Sequence, residues 1–83
     1  MKLAVPTIHL NGTSRASLVE DLCEAYSAIN AALDKLKRTS PNGRDYYPQG
    51  SEAMTAAQDQ HQTRMRKLTD VMSEIEQIVE ALS

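Results

Sequence analysis

Eighty-three residues make at most one domain, and a chain this short buries only a modest core. The net charge of −2 argues against binding to a nucleic-acid polymer, because proteins that bind DNA or RNA usually carry an excess of basic residues. The lone cysteine, Cys23, excludes an internal disulfide and suits a reducing compartment, and the stretch before Pro6 is too short for a signal or membrane segment. We therefore expect a cytoplasmic protein without membrane contact.

The first half of the chain predicts an extended segment and then a helix. Residues 1–13 are partly β-branched and close with a turn at Asn11-Gly12. Thr13 and Ser14 are good N-caps, and a helix over 14–38 should follow. Its apolar residues recur at steps of three and four: Leu18, Leu22, Ala25, Ile29, Leu33 and Leu36. Cys23 lies within this pattern, so we predict a small buried residue rather than a reactive thiol.

The second half predicts a loop over 39–50 and a helix over 51–82. Pro41 and Gly43 stop the first helix, and Ser51 is the expected N-cap of the second. The end of this helix carries a heptad stripe: Leu68, Met72, Ile75, Val79 and Leu82. The same register turns polar towards the loop: Met65, His61, Gln58 and Met54. Its flank runs from Val71 and Ile78 back to Arg64 and Ala57.

These elements predict an all-α fold, a two-helix antiparallel hairpin that forms a single domain over 1–83. Two helices leave the far side of a wide apolar stripe uncovered. We therefore expect the chain to form a homo-oligomer, at least a dimer, most simply as a four-helix bundle.

Charge is segregated along the chain. Residues 34–67 carry seven basic and four acidic side chains, a net charge of +3, and the rest of the chain sums to −5. The middle of the sequence is therefore the basic part of an acidic molecule.

The loop and the helix after it are the first candidate ligand site, made of Asn42, Arg44, Tyr46, Tyr47, Gln49, His61 and Arg64. A hairpin turning near Asp45 would set His61 roughly opposite Ile29 and Asn30. Asn30, His61, Arg64 and Gln58 would then line a polar pocket beneath the loop. Arginine binds phosphate or carboxylate, and tyrosine stacks on a base. The set suits a small, flat, anionic molecule such as a nucleotide. The alternative is structural: the tyrosines cap the hairpin and His61 is a hydrogen-bonded core residue.

The turn before the first helix is a second candidate, made of Asn11, Thr13, Ser14 and Arg15. Free N–H groups at a helix start attract anions, although ordinary helix capping explains the same residues. This turn should lie at the opposite end of the hairpin from the loop. In an antiparallel dimer it would approach the loop of the second copy, and the two would form one composite pocket.

No motif predicts an enzyme. His9 and His61 lack a cysteine or carboxylate at ligand spacing, and there is no phosphate-binding glycine motif. We expect no catalytic residue, no metal and no cofactor.

Two segments resemble the signature segments of a family of small, largely uncharacterised bacteriophage and prophage proteins. They are Ile8-His-Leu-Asn-Gly-Thr-Ser-Arg15 and Pro41-Asn-Gly-Arg-Asp-Tyr-Tyr-Pro-Gln-Gly50. The likeness covers most of the chain, including Gln60, His61 and Arg64. It implies a phage origin and a bacterial host cytoplasm. By analogy with small oligomeric phage proteins that sequester immune nucleotides, it is compatible with an anti-defence role.

The leading hypothesis is thus a non-enzymatic phage accessory protein that sequesters a small phosphorylated nucleotide signal. The alternative is a phage inhibitor or adaptor that acts through contacts with a host protein. A purely structural phage accessory is a third hypothesis, and binding of a nucleic-acid polymer is disfavoured by charge.

Overall fold

The computed structural model describes residues 2–83 and contains two long helices that pack together. Helix α1 spans Arg15–Lys37 and helix α3 spans Ser51–Leu82. Between them lie a short helix α2, Gly43–Tyr46, and a 3₁₀ turn, Tyr47–Gln49. No strand occurs within the described range. The predicted all-α class and the pairing of two long helices are confirmed.

Helix α1 begins where the sequence predicts, because Ser14 caps it. The Ser14 side chain accepts a hydrogen bond from the backbone N–H of Ser17 at 3.2 Å. This bond satisfies one of the free donors of the first turn. At the other end, Thr39 and Ser40 donate their hydroxyls to the carbonyls of Leu36 and Lys37, both at 2.7 Å. The helix therefore ends on side chains that satisfy its last carbonyl groups.

The connection is more ordered than the predicted loop. The Asn42 Oδ1 atom accepts from the N–H of Arg44 at 2.9 Å and starts helix α2. Gly50 then adopts φ +96° and leads into α3. The prediction of Ser51 as N-cap is wrong, since Gly50 holds that position and no side chain caps the first turn. A glycine at positive φ lets the chain reverse direction there without the steric cost of a Cβ atom.

Two contacts set the register of the hairpin. Tyr26 Oη donates to Glu76 Oε1 at 2.5 Å, and Ser40 Oγ lies 3.2 Å from His61 Nε2. In each pair, the residue halfway between the two partners in sequence lies near Ser51. The sequence alone predicts this centre of the hairpin near Asp45. The first turns of α3 consequently extend past the end of α1, and the α2 and 3₁₀ segment packs against them. The expected pairing of Asn30 with His61 is wrong for this reason.

The interior of the hairpin is thin. Leu33, Met72 and Leu82 are the buried apolar residues, and no side chain in the described range is fully buried. The prediction of a buried Cys23 is wrong for the single chain, because its thiol is exposed beside the α1–α3 seam. Within residues 2–83, no helix is both long and apolar enough to cross a membrane.

Candidate functional site

A concavity with many polar lining residues lies where the α2 and 3₁₀ segment folds over the start of α3. Its volume is about 520 Å³, within the range of small-molecule sites. Its apolar lining comes from three alanines of α3, from Pro41 and from Leu36 of α1. The polar residues that line it are Thr39, Tyr46, Gln49, Gln60, His61 and Arg64. The lining of the concavity therefore combines apolar side chains with hydrogen-bonding groups.

The helical turn decides which loop residues reach this concavity. Tyr46 and Gln49 lie three residues apart and both line it. Arg44 and Tyr47 have the same spacing but line a shallow surface with Gly43 elsewhere on the loop. Residues three apart share one side of a helical turn, so these two pairs face different directions. Asn42 serves as the cap of α2 instead of a lining residue.

His61 is a buried supporting residue. It is 6% exposed, and its Nε2 atom meets the Ser40 hydroxyl. Since Ser40 donates its single hydrogen to the Lys37 carbonyl, its oxygen accepts and His61 Nε2 must donate. A serine nucleophile needs the reverse arrangement, in which the histidine nitrogen accepts the serine proton. The Ser40–His61 pair therefore joins the turn after α1 to α3, and in this arrangement His61 does not activate the Ser40 hydroxyl.

Arg64 supplies the positive charge of the concavity. Among residues 2–83, no acidic side chain lines this concavity, and the recorded ion pair is Lys37 with Asp34, at 3.8 Å, outside it. An exposed guanidinium is a preferred partner for phosphate or carboxylate. Gln49 and Gln60 add amide groups that can donate to the same anion or to a base edge.

Two expectations about the lining do not match the geometry. Asn30 and Gln58 lie outside the concavity, while Thr39 and Gln60 line it. Gln60 precedes Arg64 by one helical turn, so its position follows from that spacing. The position of Thr39 on the lining follows only from the register of the hairpin, because this register makes the segment after α1 pass beside His61.

The turn at Asn11, Thr13, Ser14 and Arg15 is far from the concavity. It precedes α1 at the end of the hairpin opposite the loop, and the described chain extends 62 Å along its longest axis. Ser14 acts as the N-cap, and the ring of His9 lies so close to Gly12 that an added Cβ would sit 2.8 Å from it. Within one chain the two candidate sets are separate.

A second groove lies along the α1–α3 seam, on another side of the molecule. It is lined by Cys23, Tyr26, Ser27, Ile75, Glu76, Val79 and Glu80. The hydrogen bond to Glu76, burial and the nearby carboxylate charge raise the pKa of Tyr26 above its ordinary value of 10.0. Two carboxylates and no basic residue line this groove, so it does not favour an anion.

In residues 2–83, no three His, Cys, Asp or Glu side chains gather closely enough to hold a metal ion. Comparison with known proteins finds no match to a family model, to a curated protein or to a solved structure. The resemblance to phage proteins stays a prediction.

Proposed function

We propose that this protein binds a small phosphorylated ligand of the nucleotide type in the concavity beneath the loop and does not transform it. The observation that carries the proposal is the exposed Arg64 in a concavity without acidic lining residues. An anion entering there meets a guanidinium and displaces no carboxylate.

The other lining residues can make the further contacts that a nucleotide needs, namely stacking, hydrogen bonding and apolar packing. Tyr46 is half-buried at the rim, where its ring can stack on a base. Gln49 and Gln60 hydrogen-bond to polar edges, and the alanines of α3 cover the flat apolar face of the ligand. His61 holds the floor in place through Ser40. Arg44 and Tyr47, which the sequence alone also assigns to the ligand, are outside this set.

The biological role that fits this binding is sequestration of an immune nucleotide by a phage accessory protein in the host cytoplasm. Support for it comes from the two segments that resemble phage proteins. A sequestering protein needs affinity and abundance rather than catalytic groups.

Calorimetry tests the proposal with cyclic di-AMP, cyclic di-GMP and ADP-ribose as probes. Wild-type protein should bind at least one probe at micromolar concentration, and Arg64→Gln should weaken that binding by about tenfold or more, because a charge-assisted contact is lost. Arg66→Gln is the matched control, since it removes an equal charge from the same helix outside the concavity. Absence of binding by all three probes, or equal losses in the two variants, would contradict the proposal.

An alternative function uses the other side of the loop. Tyr47 is 86% exposed and lies beside Arg44. Tyrosine and arginine are the residues most often found at the centres of protein interfaces, so this pair favours docking on a host protein. In that case Tyr47→Ala should abolish capture of the partner while Arg64→Gln leaves it intact, and no nucleotide should raise the melting temperature.

A further inference from the structure

The single chain exposes far more surface than a compact protein of its size. It exposes 6423 Å², whereas a compact monomer of 9.2 kDa exposes about 4900 Å². Its radius of gyration is 18.2 Å, against about 12 Å for a compact chain of this length. The excess is larger than the roughly 800 Å² that each partner hides in a standard interface. A second copy would therefore find enough surface to cover.

One side of α3 provides a continuous strip for such a partner. We call it the outer stripe: Ala57, Arg64, Val71 and Ile78. These residues recur every seven positions, which is two helical turns, so they share one side of the helix. Val71 is 41% exposed, although the neighbouring Met72 is buried. The outer stripe thus runs from an apolar end directly into the ligand concavity, whose lining includes Ala57 and Arg64.

Charges of opposite sign flank the centre of the outer stripe. Lys67 lies about one turn before Val71 and Glu74 about one turn after it. Neither belongs to the ion pair recorded within residues 2–83. In an antiparallel pairing of two α3 helices around Val71, Lys67 of each copy faces Glu74 of the other. A parallel pairing would instead bring like charges together.

Positive and negative charges are also separated along the whole hairpin. The register that joins Ser40 to His61 sets the basic end of α1 beside the basic turns of α3. Most of the acidic side chains of α1 and α3 lie towards the other end, where Tyr26 meets Glu76. Each copy is therefore basic at one end and acidic at the other, and complementary potentials favour antiparallel association.

The seam groove around Cys23 is the competing surface, and its charge argues against self-association. Glu76 and Glu80 line it and no basic side chain accompanies them. Two copies of this groove packed together would bring carboxylates against each other, which costs free energy when water is excluded.

We propose that the protein forms an antiparallel homodimer through the outer stripe, with the two-fold axis near Val71 and Lys67 facing Glu74 of the second copy. The pairing sets Ile78 of the second copy opposite Arg64. The end of that α3 helix then forms one wall of the concavity. This last consequence rests on the proposed ligand site, whereas the interface itself does not.

Cysteine cross-linking tests where the copies meet. In Cys23→Ser/Val71→Cys the new thiols meet at the two-fold axis, and mild oxidation should yield a disulfide-linked dimer, which requires Cα atoms within about 7 Å. Wild-type protein is the control, because its exposed Cys23 lies in the seam groove. Cross-linking through Cys23 but not through position 71 would overturn the proposal.

Sedimentation with charge-reversal variants tests the pairing itself. Wild-type protein should sediment at twice the mass of the 9.2 kDa chain. Lys67→Glu and Glu74→Lys should each raise the dissociation constant about tenfold, since each replaces two attractive contacts by repulsive ones. The double variant should restore dimerisation. A monomer up to millimolar concentration, or a double variant weaker than both single ones, would overturn the interface and leave the calorimetric test of the concavity unaffected.

Discussion

The hydrogen bond between Ser40 and His61 fixes the register on which the concavity depends, and Ser40→Ala removes it. The substitution deletes the donation to Lys37 O and leaves the Nε2–H group of a 6% exposed imidazole without a partner. The first loss costs about 1 kcal/mol and an unsatisfied buried donor about 1–3 kcal/mol more. The free energy of unfolding should therefore fall by about 2–4 kcal/mol.

Thr39→Val is the matched control for this experiment. Thr39 makes the same 2.7 Å donation to a carbonyl at the end of α1, but the hydrogen-bond partner of His61 is Ser40. Its replacement should cost only about 1 kcal/mol. At equal protein concentration, Ser40→Ala should consequently melt roughly 4–24 °C below Thr39→Val. Thermal unfolding followed by circular dichroism measures the difference.

Repeating the substitution in a His61→Leu variant separates the contribution of the imidazole to stability from that of the helix cap. In His61→Leu the buried donor is gone, so adding Ser40→Ala should cost no more than Thr39→Val does. Equal melting temperatures for the two single variants would refute the account of His61, as would an undiminished cost of Ser40→Ala in the His61→Leu background.

Three further outcomes follow from single positions. Gly50→Ala should lower the free energy of unfolding by about 1 kcal/mol because Gly50 holds φ +96°, whereas Gly43→Ala, equally open but without positive φ, should be neutral or stabilising in chemical denaturation. Met72→Ala should cost about 2–4 kcal/mol in the same assay, since Met72 is 7% exposed at the helix seam. The raised pKa of Tyr26 means that its contribution to stability is complete below pH 10.0 and is lost as pH rises through the higher folded value. Absorbance titration at alkaline pH should show one phenol with a raised pKa that returns towards the ordinary value in Glu76→Gln, and an unchanged titration in that variant would contradict the assignment.

The helices were predictable because their signals are local. Ser14 as a cap and the heptad stripe that ends at Leu82 set the outer ends of α1 and α3 to within a residue. Cys23 shows that helical periodicity alone does not predict burial. It has helical spacing, but in the single chain no second element covers its side of the seam.

The register was not predictable because it depends on how many residues the connection consumes. Asn42 begins a helical turn and Gly50 reverses the chain, which moves the hairpin centre from Asp45 to Ser51. An Asn-Gly pair that caps a short helix and one that opens a loop look alike in sequence. The shift brings Ser40 to His61 and leaves Asn30 outside the site.

The sequence predicted several residues that line the concavity, but it did not predict which of the loop residues would be among them. Tyr46, Gln49, His61 and Arg64 come together around the concavity, and Arg44 and Tyr47 turn to another surface. The division follows from the direction of each side chain in the turn between 43 and 49. That direction could not be read from a segment interpreted as an irregular loop.

The most direct test of the central claim is an NMR titration of the labelled wild-type protein with the calorimetric probes. Amide shifts should move at Gln49, Gln60 and Arg64, on the lining of the concavity, and stay unchanged at Arg44 and Tyr47. Shifts confined to Arg44 and Tyr47, or no shifts with any probe at millimolar concentration, would contradict a nucleotide site beneath the loop.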